Sequence, residues 1–149
     1  MDYWKLLTVL VAIFAVYIAY QQFRLQRERI KLDLFEKRFQ VFAASRKLLS
    51  IILIDASLDL KDLFEYRGAV AEATFLFGED ITGYLEEIDK KALRMHSLHE
   101  KLNGIPPGEE RSKIVEEKHE ALRWLTDQLP ELKRRFAPYL KFGSLRSWF

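Results

Sequence analysis

The feature that most constrains this chain is an uncharged stretch near its N-terminus. No charged residue occurs between Lys5 and Arg24, and the residues from Leu6 to Phe23 read LLTVLVAIFAVYIAYQQF. A helix of about eighteen residues, with about 1.5 Å of rise per residue, is long enough to cross a hydrocarbon core that is about 30 Å thick. The sequence therefore predicts one transmembrane helix, assigned to residues 1–23.

Side chains that favour membrane surfaces flank this stretch. The predicted interface residues are Trp4, Tyr17, Tyr20, Arg24, Arg27 and Arg29. The aromatic residues are placed as two interfacial belts would be, and the arginines follow the C-terminal end of the stretch. Because positive charge accumulates on the cytoplasmic side, we expect the N-terminus outside and the C-terminal domain in the cytoplasm, at the inner (plasma) membrane. The same arginines are expected to contact anionic lipid.

Two other interpretations of the stretch fit the residues less well. A cleaved signal peptide needs small residues next to its cleavage site, whereas Tyr17, Ile18 and Tyr20 are bulky. A core helix of a globular domain usually carries polar residues on one side, whereas this stretch is apolar all round. We therefore expect an uncleaved anchor.

Helical patterns fill the rest of the chain. No Gly or Pro occurs before Gly68, so the first helix is expected to continue from the anchor to about Asp55. Further helices are predicted from Asp59 to Gly78, from about Asp80 to Asn103, and from about Glu109 across Pro130, which should kink the last helix without ending it. The predicted fold is all-α: a single transmembrane helix continuing into an antiparallel helical bundle, residues 24–142, followed by a tail, residues 143–149.

An apolar stripe follows the first helix at alternating spacings of three and four residues. Its members are Leu25, Leu32, Phe35, Phe39, Phe42, Leu49 and Leu53. Either the chain's own later helices or a second copy can cover such a stripe, because a heptad pattern alone does not distinguish a bundle from a coiled coil. The bundle is the favoured interpretation, and it predicts that Phe39 and Phe42 are buried. Arg46 and Arg67 interrupt apolar faces. Each is expected to pair with a carboxylate at the bundle edge or to extend its charged end into water.

Residues that carry chemistry are sparse. The chain has no Cys, which excludes thiol nucleophiles and thiolate metal sites. Glu116 and His119 have the Glu-x-x-His spacing of di-metal bundles, and His96 lies on the neighbouring helix, but such sites need that motif twice. These three residues are weak metal candidates only, and no cofactor is expected. Carboxylates alternate with Lys and Arg, as in surface ion pairs, and the net charge is only +2, so neither an enzyme nor a nucleic-acid partner is predicted.

Three stretches carry a resemblance to other proteins. They are DLFEKRFQVF (residues 33–42), FLFGEDITGYLEEI (residues 75–88) and RWLTDQLPELKRRFAPYLKF (residues 123–142). In these the chain resembles a group of small uncharacterised bacterial proteins that carry an N-terminal span and an all-helical cytoplasmic domain. The resemblance implies a bacterial inner-membrane protein, and it implies no activity, ligand or catalytic residue.

The end of the chain is unusually apolar for a terminus. Phe142, Leu145, Trp148 and Phe149 lie beside the cationic Lys141 and Arg146. Terminal residues left in water seldom include so many large apolar groups, so these four residues are predicted to form an interaction element.

The sequence supports three hypotheses of function from different classes. The first is a membrane-anchored, non-enzymatic helical interaction and assembly module that binds a protein partner or a second copy. The alternative is a membrane effector of the defence type, whose oligomerisation perturbs the bilayer. The third is a metal-binding bundle.

Overall fold

The computed structural model describes residues 2–141, and these residues form helices and loops without a strand. The helices are α1 (Tyr3–Asp55), α2 (Leu60–Val70), α3 (Ala73–Leu76), α4 (Glu79–Leu102) and α5 (Glu109–Leu140). The prediction of an all-helical chain is confirmed. By its contacts the chain divides into two compact units, Met1–Phe35 and Glu36–Phe149.

Helix α1 runs without interruption to Asp55, as predicted. It ends where Ala56 takes a left-handed conformation, with φ at 49°. The Ala56 N–H donates to the carbonyl oxygen of Ile52 at 2.9 Å and satisfies one of the last carbonyl groups of the helix. A left-handed residue is a common way to end a helix, although Gly usually takes that position.

The first unit consists of one helix with an exposed apolar surface. Every side chain from Asp2 to Tyr20 is exposed. The most apolar eighteen-residue window of α1 has a mean hydropathy of 1.9, and none of that window is buried. Helix α1 is therefore long and apolar enough to cross a membrane.

The second unit is built around a core to which all the longer helices contribute. Phe136 on α5 is fully buried, and its ring centroid lies 5.6 Å from that of Phe42 on α1. The Phe77 ring, just after α3, meets the Phe136 ring edge-on at 5.1 Å. Tilted and edge-on aromatic pairs of this kind are favourable beyond the area they bury.

Helices α4 and α5 contact each other along their lengths. The Tyr139 hydroxyl donates to the Asp80 carboxylate at 2.9 Å, and the Tyr84 hydroxyl donates to the carbonyl oxygen of Gln128 at 3.4 Å. Burial raises the pKa of Tyr84 to about 12, so this hydroxyl keeps its proton. The loop before α5 is held by Arg111, whose Nη1 donates to the carbonyl oxygens of Leu102 and Ile105 at 2.8 and 2.7 Å.

Helix α5 contains both Pro130 and Pro138 and continues to Leu140. The prediction that Pro130 does not end this helix is confirmed. Leu132 and Phe136 remain buried beyond the proline. The apolar phase therefore holds across Pro130, and core packing offsets the lost backbone hydrogen bond.

The helix predicted from Asp59 to Gly78 is interrupted. Helix α2 ends at Val70, and the four-residue α3 follows. The break lies just after Gly68, and Gly costs about 1 kcal/mol in a helix interior relative to Ala. Phe64 and Phe75, which lie in the predicted range, are both exposed, and Phe75 is 88% exposed.

The buried face of α1 also differs from the predicted one. Phe39 is 47% exposed, so the prediction that it is buried is wrong, and Phe42 is only partly buried. The buried residues of α1 are Arg38, Val41, Ser45, Leu48, Leu49 and Ile52. Apart from the step from Leu48 to Leu49, this set follows the same three- and four-residue spacing, and it shares only Leu49 with the predicted stripe. Because it includes Arg38 and Ser45, the sequence pattern favoured the more apolar stripe instead.

Candidate functional site

The first candidate surface is the apolar part of α1 in the first unit. Its one hydroxyl between Lys5 and Tyr17 belongs to Thr8, whose Oγ1 donates to the carbonyl oxygen of Trp4 at 2.8 Å. The Gln21 side-chain amide donates to the Tyr17 hydroxyl at 3.0 Å. Polar groups in a bilayer need partners within the protein, and these groups find them on their own helix.

The predicted interface residues all lie on α1 and are all exposed. Trp4 lies at one end of the apolar stretch, with Tyr17 and Tyr20 at the other. Arg24, Arg27 and Arg29 all lie within about two turns after Phe23, and the Arg27 guanidinium lies 5.8 Å from the centre of the Phe23 ring. Exposed guanidinium groups in such a cluster can pair with phosphate groups.

Five residues of α1 recur in the sequence at seven-residue intervals, and we call this row the α1 seam: Leu25, Leu32, Phe39, Arg46 and Leu53. In the first unit, Leu25 is 63% exposed and Leu32 is 53% exposed. In the second unit, Leu53 is almost half exposed. A shallow groove of about 380 Å³ includes Phe39, Phe42 and Arg46 in its lining.

A buried arginine forms the most elaborate polar cluster of the second unit. Arg38 is 6% exposed, and its Nε donates to the carbonyl oxygen of Leu76 at 3.0 Å. Its Nη1 lies 3.5 Å from the carbonyl oxygen of Tyr139. The guanidinium also lies over the rings of Phe77 and Tyr139, at 5.8 and 5.5 Å from their centres.

Desolvation lowers the pKa of Arg38 below its usual value, and the Tyr139 hydroxyl partly opposes this shift. Among residues 2–141, no carboxylate forms an ion pair with Arg38, and its hydrogen-bond acceptors are backbone carbonyl groups. Both carbonyl groups lie at C-terminal ends of helices, where the helix dipole favours a cation. Arg38 therefore joins α1 to the ends of α3 and α5. The sequence interpretation missed this residue, because one arginine in an apolar stretch gives no sign of which face it occupies.

The two arginines that were expected to form ion pairs differ. Arg67 makes a bidentate pair with Asp89, with distances of 2.7 and 2.8 Å, so this expectation is confirmed. The pair lies in the lining of a groove of about 370 Å³ between α2, α3 and α4, which also includes Val70 and Leu85. Arg46 is exposed, and within residues 2–141 no carboxylate forms an ion pair with it. The first of the two expected outcomes is therefore not seen for Arg46.

His96 and His99 have different partners. His96 Nδ1 lies 2.6 Å from the carbonyl oxygen of Leu58, so it carries the proton and donates it. Lys118 Nζ lies 3.0 Å from Nδ1 of His99. The candidates His119 and Glu116 are exposed. In the part of the chain that the structure describes, no three His, Cys, Asp or Glu residues are grouped as metal ligands would be.

The predicted interaction residues of the tail, Phe142, Leu145, Trp148 and Phe149, lie outside the described residues. In comparisons with known proteins, no family model, no curated protein and no solved structure matches this chain. The proposals below rest on the chain's own residues.

Proposed function

We propose that this chain is a membrane-anchored, non-enzymatic helical module that assembles with a second copy or a protein partner at the bacterial inner membrane. The observation that carries the anchoring is the apolar surface of α1, none of which is buried in its most apolar window. A helix that is apolar all round and uncovered by protein is stable in lipid and unfavourable in water.

The orientation follows from charge. Arg24, Arg27 and Arg29 follow the apolar stretch, whereas Lys5 is the one basic side chain before it. Lys5 is also within 2.6 Å of the Asp2 carboxylate. The larger positive charge therefore favours a cytoplasmic location for the C-terminal domain.

The second unit is proposed to be an antiparallel helical bundle. Contacts between α4 and α5 support this arrangement, because residue numbers fall along α5 as they rise along α4: Asp80 with Tyr139, Tyr84 with Gln128, and Arg94 with Glu117. Such a hairpin, packed on the α1 residues of the second unit, forms a helical bundle.

The engagement of the charged side chains supports a non-enzymatic role. Glu131 accepts hydrogen bonds from Arg134 and Arg135, and Asp89 pairs with Arg67. These carboxylates form structural ion pairs, one at the surface and one at the edge of the groove. The exposed α1 seam and the apolar residues of the tail are the surfaces proposed for assembly.

A pair of reporter fusions tests the proposed topology. A reporter that is active only in the periplasm should be inactive when fused after Phe149, and a reporter that is active only in the cytoplasm should be active there. The reverse pattern would overturn the orientation. Replacing Arg24, Arg27 and Arg29 by Gln should produce a mixed pattern, because the charge difference that sets the orientation is lost.

Deletion of residues 143–149 tests the assembly role of the tail. Loss of partner or lipid binding, with the thermal midpoint unchanged, supports the tail as an interaction element. A large fall in the midpoint supports a tail that packs onto its own bundle, and no change in either property marks a passive end.

A further inference from the structure

We propose that the tail, residues 142–149, binds in a groove on α1 of the same chain. This α1 groove has a volume of about 380 Å³, and its lining includes Phe39, Phe42, Ala43 and Arg46. The groove and the tail both belong to the second unit. The inference goes beyond the proposed function, because it assigns the tail a binding surface on its own chain and does not depend on the membrane anchoring.

The end of α5 lies beside the α1 groove. Arg38 on α1 reaches the carbonyl oxygen of Tyr139 with its Nη1 at 3.5 Å, and the next residue, Phe39, is part of the groove lining. About one turn earlier on α5, the Phe136 ring packs against the ring of Phe42, with their centres 5.6 Å apart. The tail follows Tyr139 closely in the chain and therefore leaves α5 next to the groove.

The tail is long enough to follow the groove. The lining extends along α1 from Phe39 to Ser50, which is about 16 Å of helix. The tail residues, 142–149, span up to about 26 Å when they are extended. A segment that is attached at one end of a groove also has a high effective concentration there. This attachment favours the chain's own tail over the tail of a second copy.

The side chains of the tail fit the groove. Half of the tail residues are large and apolar: Phe142, Leu145, Trp148 and Phe149. The groove offers the rings of Phe39 and Phe42, whose centres lie 6.0 Å apart, and Phe39 is 47% exposed. Contact between the two removes apolar surface of both from water. Arg46 adds a guanidinium that can lie over an aromatic ring, as those of Arg38 and Arg135 do in the same unit.

A second groove lies within reach of the tail but fits it less well. It is the groove of about 370 Å³ between α2, α3 and α4, and its lining includes the Arg67–Asp89 ion pair together with Glu86 and Lys90. Apolar side chains placed there would cover charged groups without replacing their contacts with water. The aromatic floor of the α1 groove carries no such cost.

Binding of the tail has a consequence for assembly. Phe39 and Arg46 belong both to the α1 groove and to the α1 seam. A partner that packs on this part of the seam must displace the tail, so the tail competes with assembly there. Release of the tail frees the groove and the apolar side chains of the tail together.

Paired cysteines test the contact, because the chain contains no Cys. The full-length Ala43→Cys, Ser147→Cys variant, purified in detergent and oxidised, should form a disulfide within one chain. Mass spectrometry should find the linked peptides in the monomer band of a non-reducing gel. Linkage only between two chains would show that the tail binds a second copy, and no linkage would show that it does not bind this groove. Either result would overturn the proposal.

The full-length Glu86→Cys, Ser147→Cys variant is the matched control. Glu86 is exposed and lies in the lining of the other groove. It is about as far along α4 from Asp80, which contacts Tyr139, as Ala43 is along α1 from Arg38. The control should form the disulfide about tenfold more slowly, because the tail is not concentrated at that groove. Equal rates in the two variants would overturn the choice of groove.

A substitution in the groove tests the apolar contact. In the Ala43→Cys, Ser147→Cys background, Phe39→Asp should slow disulfide formation about tenfold, because a charge replaces the ring that the tail covers. Phe75→Asp makes the same change at a ring that is 88% exposed and lies outside the groove lining, and it should leave the rate unchanged. Equal rates for Phe39→Asp and Phe75→Asp would contradict the proposal.

Discussion

Arg38 on α1 donates a hydrogen bond through Nε to the carbonyl oxygen of Leu76 on α3, at a distance of 3.0 Å. The same guanidinium reaches the carbonyl oxygen of Tyr139 near the end of α5. One buried side chain thus joins three helices and supplies donors to helix ends that lack them.

We expect Arg38→Met to lower the free energy of unfolding of the second unit by about 2–3 kcal/mol, because hydrogen bonds from a charged donor are lost and two carbonyl groups lose their partner. Near-UV circular dichroism of the full chain in detergent during denaturant unfolding measures the change. Arg46→Met is the matched control, since Arg46 is exposed on the same helix. A change below about 0.5 kcal/mol, as for a surface site, would show that Arg38 is not structural.

The sequence predicted the helices well and their buried faces less well. The absence of Gly and Pro before Gly68 predicted that α1 continues beyond the apolar stretch, because helix breakers are local signals. The choice between Phe39 and Arg38 as the buried neighbour on α1 depends on helices far along the chain, which supply the carbonyl groups for Arg38. Local periodicity cannot contain that information.

The aromatic cluster of the second unit gives a prediction about stability. Phe136→Ala should cost about 3–5 kcal/mol, because a fully buried ring that contacts Phe42 and Phe77 leaves a cavity. Phe75→Ala makes the same chemical change at a side chain that is exposed, and it should cost less than about 0.5 kcal/mol. Thermal or denaturant unfolding compares the two variants. Equal costs would mean that the core is assigned to the wrong residues.

Glu131 gives a prediction about pH. Hydrogen bonds from Arg134 and then from Arg135 lower the pKa of Glu131 to about 2, whereas an ordinary Glu titrates near about 4.3. A carboxylate with a lowered folded-state pKa stabilises the fold above its unfolded pKa, and this stability is lost as the pH falls toward the folded pKa. Between these two values, the thermal midpoint of the wild type should therefore fall more steeply than that of Glu131→Gln.

Glu120→Gln on the same helix is the control for this pH profile, because Glu120 is an exposed carboxylate. The Glu120→Gln variant should keep the wild-type slope. Parallel curves for the wild type and Glu131→Gln would contradict the assigned ion pairs.

The sequence predicted the local features of the candidate surfaces, but not the contacts between residues that are distant in the chain. The apolar helix and the arginines that follow it could be predicted because hydropathy and charge are properties of the local sequence. His96 was considered as a metal ligand because its spacing was the only information, whereas its partner is the carbonyl oxygen of Leu58 in the loop before α2. The ion pair of Arg67 was expected, but Asp89 could not be named, since it lies on another helix.

Extraction of isolated membranes with alkaline carbonate tests the anchoring most directly. The full-length chain should remain in the membrane pellet. A Val11→Arg, Phe14→Arg variant should be released into the supernatant, because each arginine costs about 2.5–3.5 kcal/mol at the centre of a span. Recovery of the unmodified chain in the supernatant would contradict the account.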